Sequence, residues 1–162
     1  MRVREIPNDV AARRLEALLL AGSSYAARGM HRQRDASGRI DAAFRLLRDT
    51  GDYPAAVLKP GSEADIAVRA RADDDAETGR LDEAIRTYQG LRRRLLASNP
   101  DPRGDLLNAV SLTALDTALA SLLRRAGAAH QAAVLEAGNR EIWRDWDRQL
   151  PSNPFVLRQL AR

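Results

Sequence analysis

The side chains best suited to chemistry are a short acidic run and two histidines. These are Asp73, Asp74, Asp75, Glu77, His31 and His130. Carboxylates and imidazoles are common metal ligands, but successive carboxylates on one helix point around it and do not converge on one ion. The loop spacing of an EF-hand is absent, and the two histidines lie in different parts of the chain. We therefore interpret the run as the solvated acidic end of a helix and expect no metal site.

Nucleophilic catalysis is the second chemistry to consider. Ser23, Ser24 and Ser111 are available hydroxyls, but none has the flanking glycines of a nucleophile elbow. The sequence also has no phosphate-binding loop and no dinucleotide fingerprint. Because there is no cysteine, thiolate chemistry, iron–sulfur clusters and disulfides are excluded. We expect a protein that is not an enzyme, with no catalytic residue and no cofactor.

The arginines raise the possibility of nucleic-acid binding. The chain has 26 basic and 22 acidic residues, for a net charge of +4, and Lys59 is the single lysine. The candidates for phosphate binding and base stacking are Arg92, Arg93, Arg94, Arg124, Arg125, Arg140, Arg144, Arg148, Trp143 and Trp146. Acidic residues such as Asp145 and Asp147 interleave with these arginines, and the tryptophans fit an apolar helix stripe. We therefore favour a capping helix over a nucleic-acid surface.

The elements that position these residues are predicted to be helices. Strong helix formers dominate and aromatic residues make up only 4% of the 162 residues, which favours one all-α domain. Apolar periodicity predicts helices over about 9–36, 40–49, 63–78, 81–98, 105–126, 128–149 and 155–160. The first helix begins with Asn8 or Asp9 as its N-cap. Residues 51–62 contain two prolines and two glycines, which predicts an irregular joint.

We expect no membrane-spanning segment, since no apolar run approaches the length of about 18 residues that a span needs. Arginines precede the short apolar run 15–21, as in a signal peptide, but Glu16 interrupts that run, and we interpret it as part of an amphipathic helix. The absence of cysteine is compatible with a reducing compartment. We expect a cytoplasmic protein.

An internal repeat is the main organisational signal. Gly38–Arg45 reads GRIDAAFR, and Gly79–Arg86 reads GRLDEAIR. Gly127 begins a third, weaker copy further along the chain. A glycine can adopt a positive φ and end one helix sharply, and a small residue five positions later lets two antiparallel helices approach closely. This pattern predicts three helix–glycine–helix hairpins in series.

These residues resemble the tetratricopeptide repeat. Gly79–Tyr88 is similar to the end of that motif's first helix and most of its second, and Ala72 and Ala120 match the small position seven residues before Gly79 and Gly127. The interval between copies exceeds the usual repeat of roughly 34 residues. The resemblance implies a TPR-like α-solenoid of about three hairpins, at 9–49, 63–98 and 105–149, with the joint at 51–62 and a C-terminal cap at 155–160.

A second resemblance concerns the tail. Trp143–Phe155 reads WRDWDRQLPSNPF, which is similar to the ends of C-terminal repeat regions in large bacterial serine/threonine protein kinases. This resemblance implies that the chain is a distal, non-catalytic part of such a protein. The sequence itself has no glycine-rich nucleotide loop, catalytic-loop motif or Asp-Phe-Gly.

The TPR resemblance implies a function in binding other proteins. Stacked hairpins leave a groove lined by the first helix of each hairpin, and we expect this groove to bind a peptide or protein partner as part of a scaffold. The exposed candidates on those helices are Arg69, Arg71, Asp75, Asn108 and Ser111. The alternatives are a structural or homo-oligomerisation segment of a larger regulatory protein and, less favoured, an arginine-rich nucleic-acid-binding domain.

Overall fold

The prediction of an all-α protein is confirmed. A computed structural model of the chain describes residues 9–161, and these residues form seven helices and no strand. The helices are α1 (Val10–Gly29), α2 (Gln33–Asp49), α3 (Glu63–Glu77), α4 (Leu81–Leu96), α5 (Leu106–Arg125), α6 (Ala129–Gln149) and α7 (Pro154–Leu160). The side chain of Asp9 caps α1 by accepting hydrogen bonds from the backbone N–H groups of Ala11 and Ala12 at 3.0 and 3.2 Å.

The first six helices pack as three hairpins in chain order. Helices α1 and α2 form hairpin 1, α3 and α4 form hairpin 2, and α5 and α6 form hairpin 3. Helix α3 packs on both helices of hairpin 1, and α5 packs on α4 and hydrogen-bonds to α3. One apolar core therefore runs through all three hairpins, because no single hairpin can bury its apolar face alone.

The turns inside the three hairpins share one backbone geometry. His31, Gly79 and Gly127 have positive φ values of 58°, 84° and 81°. In each turn the N–H of the residue that follows donates to the carbonyl five residues earlier. These bonds run from Arg32 to Ala27, from Arg80 to Asp75 and from Ala128 to Leu123, at 2.8–2.9 Å. This is the Schellman arrangement that ends a helix with a left-handed residue.

The three turns are evenly spaced along the chain. The interval from His31 to Gly79 equals the interval from Gly79 to Gly127, and we call this interval one repeat. The second helices begin at Gln33, Leu81 and Ala129, which are separated by the same interval. Residues that differ by one repeat are therefore structurally equivalent in consecutive hairpins.

The predicted repeat register is wrong in hairpin 1. Gly38 lies inside α2, and the turn falls earlier, at His31. The predicted first helix, which runs to about residue 36, therefore ends at Gly29. The likeness between Gly38–Arg45 and Gly79–Arg86 does not mark equivalent positions, since the structural equivalent of Gly79 is a histidine.

Small residues allow the two helices of each hairpin to approach closely. Ser24, Ala72 and Ala120 are equivalent in the first helices, and all three are buried. Their counterparts in the second helices are Ala36, Ala84 and Ala132, each fully buried. Small side chains at a helix crossing permit short interaxial distances, so these six positions fix the hairpin geometry.

The joint between hairpins 1 and 2 has no helix but is held by specific contacts. Arg14 of α1 donates to both carboxylate oxygens of Asp52 at 2.7 Å. The ring of Tyr53 packs edge-on against Phe44 at 4.9 Å between centroids, and the N–H of Leu58 donates to the carbonyl of Arg94. These contacts attach the joint to α1, α2 and α4.

Helix α7 covers part of the far end of hairpin 3. It packs on α6, and Val156 joins Ala109, Trp143 and Trp146 in a second apolar cluster. Asn153 caps α7 through its side chain. Because α7 is short, much of the outer face of α5 stays uncovered.

Helix α5 is also the one helix among the described residues that is long and apolar enough to cross a membrane. Its most apolar window has a mean hydropathy of 1.6, and 56% of that window is buried inside the fold. Core helices of soluble proteins meet the same criteria, so length and composition do not distinguish the two.

Candidate functional site

A row of charged side chains runs along α3, between α1 and α5. The row, called the α3 row below, consists of Asp65, Arg69, Asp73 and Glu77. Because residues four apart lie on one helix face, these side chains follow each other along α3. Their exposure rises along the row: the side chains of Asp65, Asp73 and Glu77 are 1%, 30% and 55% exposed.

The buried end of the α3 row joins hairpins 2 and 3. The Nε of Arg69 donates to Asp65 at 2.6 Å, and its Nη2 donates to the carbonyl and the hydroxyl of Ser111 on α5, both at 3.0 Å. Asp65 also accepts the N–H of Gly61 at 2.8 Å. With its charge paired and its oxygens occupied, Asp65 can be buried at low cost.

In the middle of the row, Asp73 accepts two tyrosine hydroxyls. Tyr25 of α1 donates at 2.7 Å and Tyr88 of α4 donates at 2.6 Å. Burial, followed by the charge of Asp73, raises the pKa of both phenols above the ordinary value of 10.0. Both hydroxyls are therefore protonated donors at neutral pH, and they connect hairpins 1 and 2 without offering a base for catalysis.

At the exposed end, Arg28 of α1 faces the last two carboxylates of the row. Its Nε lies 3.5 Å from Glu77 and its Nη2 4.0 Å from Asp73. The guanidinium also lies over the ring of Tyr25, 4.3 Å from its centroid. The Arg28 side chain is only 6% exposed, and its Nη1 has no hydrogen-bond partner among the described residues. An unsatisfied buried donor is unusual in a folded protein.

The interpretation of the acidic run as a solvated helix end is wrong for Asp74 and Asp75, although Glu77 is exposed. Asp74 and Asp75 are 0% and 7% exposed. Asp74 accepts hydrogen bonds from Gln33 at 2.6 Å and Ser37 at 2.9 Å on α2, and Asp75 pairs with Arg80 at 2.7 Å. The acidic residues at this helix C-terminus are tolerated because each carboxylate has a donor from another element.

The five predicted partner-binding residues are more enclosed than expected. Asp75 is buried, and the other four are half-buried. The structure brings Arg69 and Ser111 into direct contact, while Arg71 pairs with Asp41 of α2. Asn108 lies in the first turn of α5, where its N–H is capped by Asp105 at 3.2 Å. The prediction that Asp75 is an exposed binding residue is therefore wrong.

Sequence reasoning missed the residues that complete this site. Tyr25 and Arg28 lie on α1 and Tyr88 lies on α4, all distant in sequence from the position of Asp73 on α3. No local motif marks Tyr25 or Arg28, and Tyr88 is part of the motif-like stretch Gly79–Tyr88 without any sign there of a polar role. Their common signal is a polar side chain on an otherwise apolar helix face, which only the correct register of the hairpins makes visible.

The tryptophans are not placed to stack on nucleic-acid bases. Trp143 and Trp146 are 3% and 8% exposed and belong to the second apolar cluster. The indole N–H of Trp146 donates to the carbonyl of Pro102 at 2.8 Å. Several of the neighbouring arginines are paired, as Arg148 is with Asp145 and Arg92 is with Asp116.

Within residues 9–161, no group of three or more histidine, aspartate or glutamate side chains is placed to hold a metal ion. His31 occupies the turn of hairpin 1, and His130 lies in the first turn of α6, in hairpin 3. Comparisons with protein-family models, with curated proteins and with solved structures give no match to this chain.

Proposed function

We propose that this chain is a non-catalytic, TPR-like α-solenoid module that binds a peptide or protein partner in the groove along α1, α3 and α5. The repeated hairpin supports this proposal. Turns of the same geometry recur at equal intervals, and α3 and α5 contact the preceding hairpin. Stacks of this kind place their first helices side by side and create an extended binding surface.

The observation that carries the proposal is the exposed end of the α3 row. There the carboxylate of Glu77 is 55% exposed, beside the nearly buried guanidinium of Arg28. A peptide offers the complementary group, since an N–H group or a basic side chain donates to Glu77. Tyr25, which is 40% exposed, adds an aromatic surface of the kind enriched in binding sites.

Selection from a displayed library of random peptides tests this proposal. Peptides enriched on the parent chain should bind the Glu77→Gln and Tyr25→Ala variants at least about tenfold more weakly. A tenfold loss of affinity is about what one charge-assisted hydrogen bond or a modest contact contributes. Glu83→Gln is the matched control, because Glu83 is 50% exposed and pairs with Arg86 on α4, which is not one of the helices that line the groove. The proposal fails if no peptide is enriched, or if the enriched peptides bind all variants equally.

Self-association is the second candidate function, and α1 favours it. Leu15 and Leu19 are 54% and 63% exposed, and they lie one turn apart on the same side of α1. An exposed apolar stripe of this kind is typical of association surfaces. Light scattering tests this second function. A dimeric mass for the parent chain and a monomeric mass for the Leu15→Glu/Leu19→Glu double variant would support a structural role over peptide binding.

A further inference from the structure

Each hairpin presents a surface on which the first helix of the next hairpin packs. We call this surface a stacking face. The second stacking face comprises Asp65, Arg69, Leu91, Arg92 and Leu95 of hairpin 2, and α5 covers it. The third stacking face comprises the equivalent residues of hairpin 3, each one repeat further along the chain: Thr113, Thr117, Asn139, Arg140 and Trp143.

The second stacking face shows how such a surface is filled. Arg92 donates to the carboxylate of Asp116 on α5, with Nε–Oδ1 and Nη2–Oδ2 distances of 2.7 and 3.3 Å. Asp116 is only 8% exposed. Leu112, Leu115 and Leu119 of α5 are also buried and belong to the main apolar core. The filler is thus an amphipathic helix with an apolar side and one carboxylate placed on the arginine.

No helix of this length within residues 9–161 covers the third stacking face. A cavity of about 730 Å³ lies there. The residues that line it from α5 are Val110, Thr113, Ala114, Thr117, Ala118 and Arg124; those from α6 are Glu136, Asn139, Arg140 and Trp143; and those from α7 are Phe155 and Gln159. Helix α7 forms one wall and packs on α6, so it closes the end near Trp143 and leaves the rest open.

At this cavity an exposed arginine lacks the carboxylate that a filled face would provide, and a nearby amide oxygen is enclosed by the protein without a partner in residues 9–161. The side chain of Asn139 is buried, and its amide donates to the carbonyl of Thr113 and the hydroxyl of Thr117, at 3.1 and 3.3 Å. Its Oδ1 has no hydrogen-bond partner among the described residues. Arg140, the equivalent of Arg92, is exposed and makes no ion pair with any residue in 9–161.

We propose that the third stacking face binds an amphipathic helix of a partner protein. That helix carries an aspartate or glutamate that pairs with Arg140, as Asp116 pairs with Arg92. Its apolar side chains cover Val110, Ala114 and Ala118. The proposed ligand continues the packing already seen between hairpins 2 and 3, and it supplies the negative charge that Arg140 lacks.

A second copy of this chain does not meet the same requirements. Its α1 would be the helix to stack, and Leu20 occupies the position equivalent to Asp116, two repeats earlier. An apolar residue at that position leaves Arg140 unpaired. Glu16 lies one turn away from the required position, on a helix whose exposed side is formed by leucines.

A library of helices tests the proposal. The α5 sequence Leu106–Arg125 serves as the displayed scaffold, with the face positions 111, 112, 115, 116, 119 and 122 randomised. Selection is on the intact chain. We expect enrichment of aspartate or glutamate at position 116, and binding at least about tenfold weaker to Arg140→Gln. Arg144→Gln, one turn further along α6 and also exposed, is the matched control and should bind normally.

A second variant addresses the apolar part of the surface. Ala118→Arg places a long side chain in the cavity at a half-buried position and should abolish binding while the circular dichroism spectrum is unchanged. The proposal is overturned if no helix is enriched, or if the enriched helices lack a carboxylate and bind Arg140→Gln as well as the parent. It is also overturned if the isolated chain forms a dimer by light scattering that Ala118→Arg dissociates, because a second copy then fills the face.

Discussion

Hairpins 2 and 3 present equivalent surfaces that differ in what covers them. On the second stacking face, Arg69 and Arg92 bind groups supplied by α5, namely Ser111 and Asp116. On the third, the equivalent positions are Thr117 and Arg140, and the arginine is unpaired among the described residues. The covered face has its charges neutralised, whereas the open face retains a free cation and a buried amide oxygen without a donor in residues 9–161.

The difference shows where buried charge is tolerated in this fold. Asp65, Asp74 and Asp116 are all nearly inaccessible, and each has at least one donor from another helix or loop. Removing one member of such a pair leaves an uncompensated charge and costs more than the pair contributes. Residues of the second stacking face that pair with buried charge should therefore tolerate substitution poorly, whereas the exposed residues of the third, Thr117 and Arg140, should tolerate it well.

The largest expected effect is at Asp65. Asp65→Ala leaves Arg69 without its carboxylate and should lower the free energy of unfolding by about 3 kcal/mol or more, measured by urea denaturation. Thr113→Ala, the equivalent change on the third stacking face, removes one hydroxyl bond to the carbonyl of Ala109 and should cost about 1 kcal/mol. Equal losses in the two variants would show that the faces do not differ in this way.

The second effect compares the two equivalent arginines. Arg92→Ala strands the buried carboxylate of Asp116 and should cost about 2 kcal/mol, less than a fully buried pair because the Arg92 side chain is 36% exposed. Arg140→Ala removes an exposed side chain that makes no ion pair in residues 9–161, and it should change stability by less than about 0.5 kcal/mol. A loss at Arg140 as large as that at Arg92 would mean that a group of the chain already occupies the third stacking face.

The hairpin turns give a smaller effect. A non-glycine residue with positive φ is strained by roughly 1 kcal/mol, and an added Cβ at Gly79 meets nothing in its immediate surroundings. His31→Gly should therefore raise the free energy of unfolding by up to about 1 kcal/mol, and Gly79→His should lower it by a similar amount. Thermal unfolding of both variants measures the pair of changes. Shifts of the same sign would contradict the equivalence of the two turns.

The smallest expected effect is a loss of stability in alkali, caused by the tyrosines that donate to Asp73. Tyr25 and Tyr88 have a pKa raised above 10.0 in the folded state. Their contribution to stability is therefore complete below pH 10 and is lost as the pH rises through the raised values, because the unfolded chain releases these protons first. The urea midpoint should fall above pH 10, and Tyr88→Phe should make the fall shallower. An unchanged slope in Tyr88→Phe would exclude the ionisation of Tyr88 as its source.

The helices are largely predictable because their signals are local. The predicted bounds of α3 to α7 lie within a few residues of those observed, since apolar periodicity, caps, glycine and proline all act over short distances. The turn at His31 escapes prediction for a physical reason. Its positive φ is imposed by the packing of α1 against α2, while Gly38, which has no such role, carries the expected sequence signal.

The candidate site is not predictable in the same way. The sequence predicts a solvated Asp74 because nothing in its own segment donates to it, and its partners Gln33 and Ser37 lie on α2, in another hairpin. The sequence also predicts an exposed Arg69, yet this residue joins α3 to α5. Long charged side chains on a first helix can face either a neighbouring helix or solvent, and only the stacking of hairpins decides between them.

The central claim is that the second stacking face is covered and the third is open. The chain has no cysteine, so a single cysteine reports on each face. Ala70 is fully buried in hairpin 2, and Ala118, its equivalent one repeat later, lines the cavity of hairpin 3. The account predicts that Ala118→Cys reacts with a maleimide at least about 100-fold faster than Ala70→Cys, which must wait for local opening. Similar rates at the two positions would contradict it.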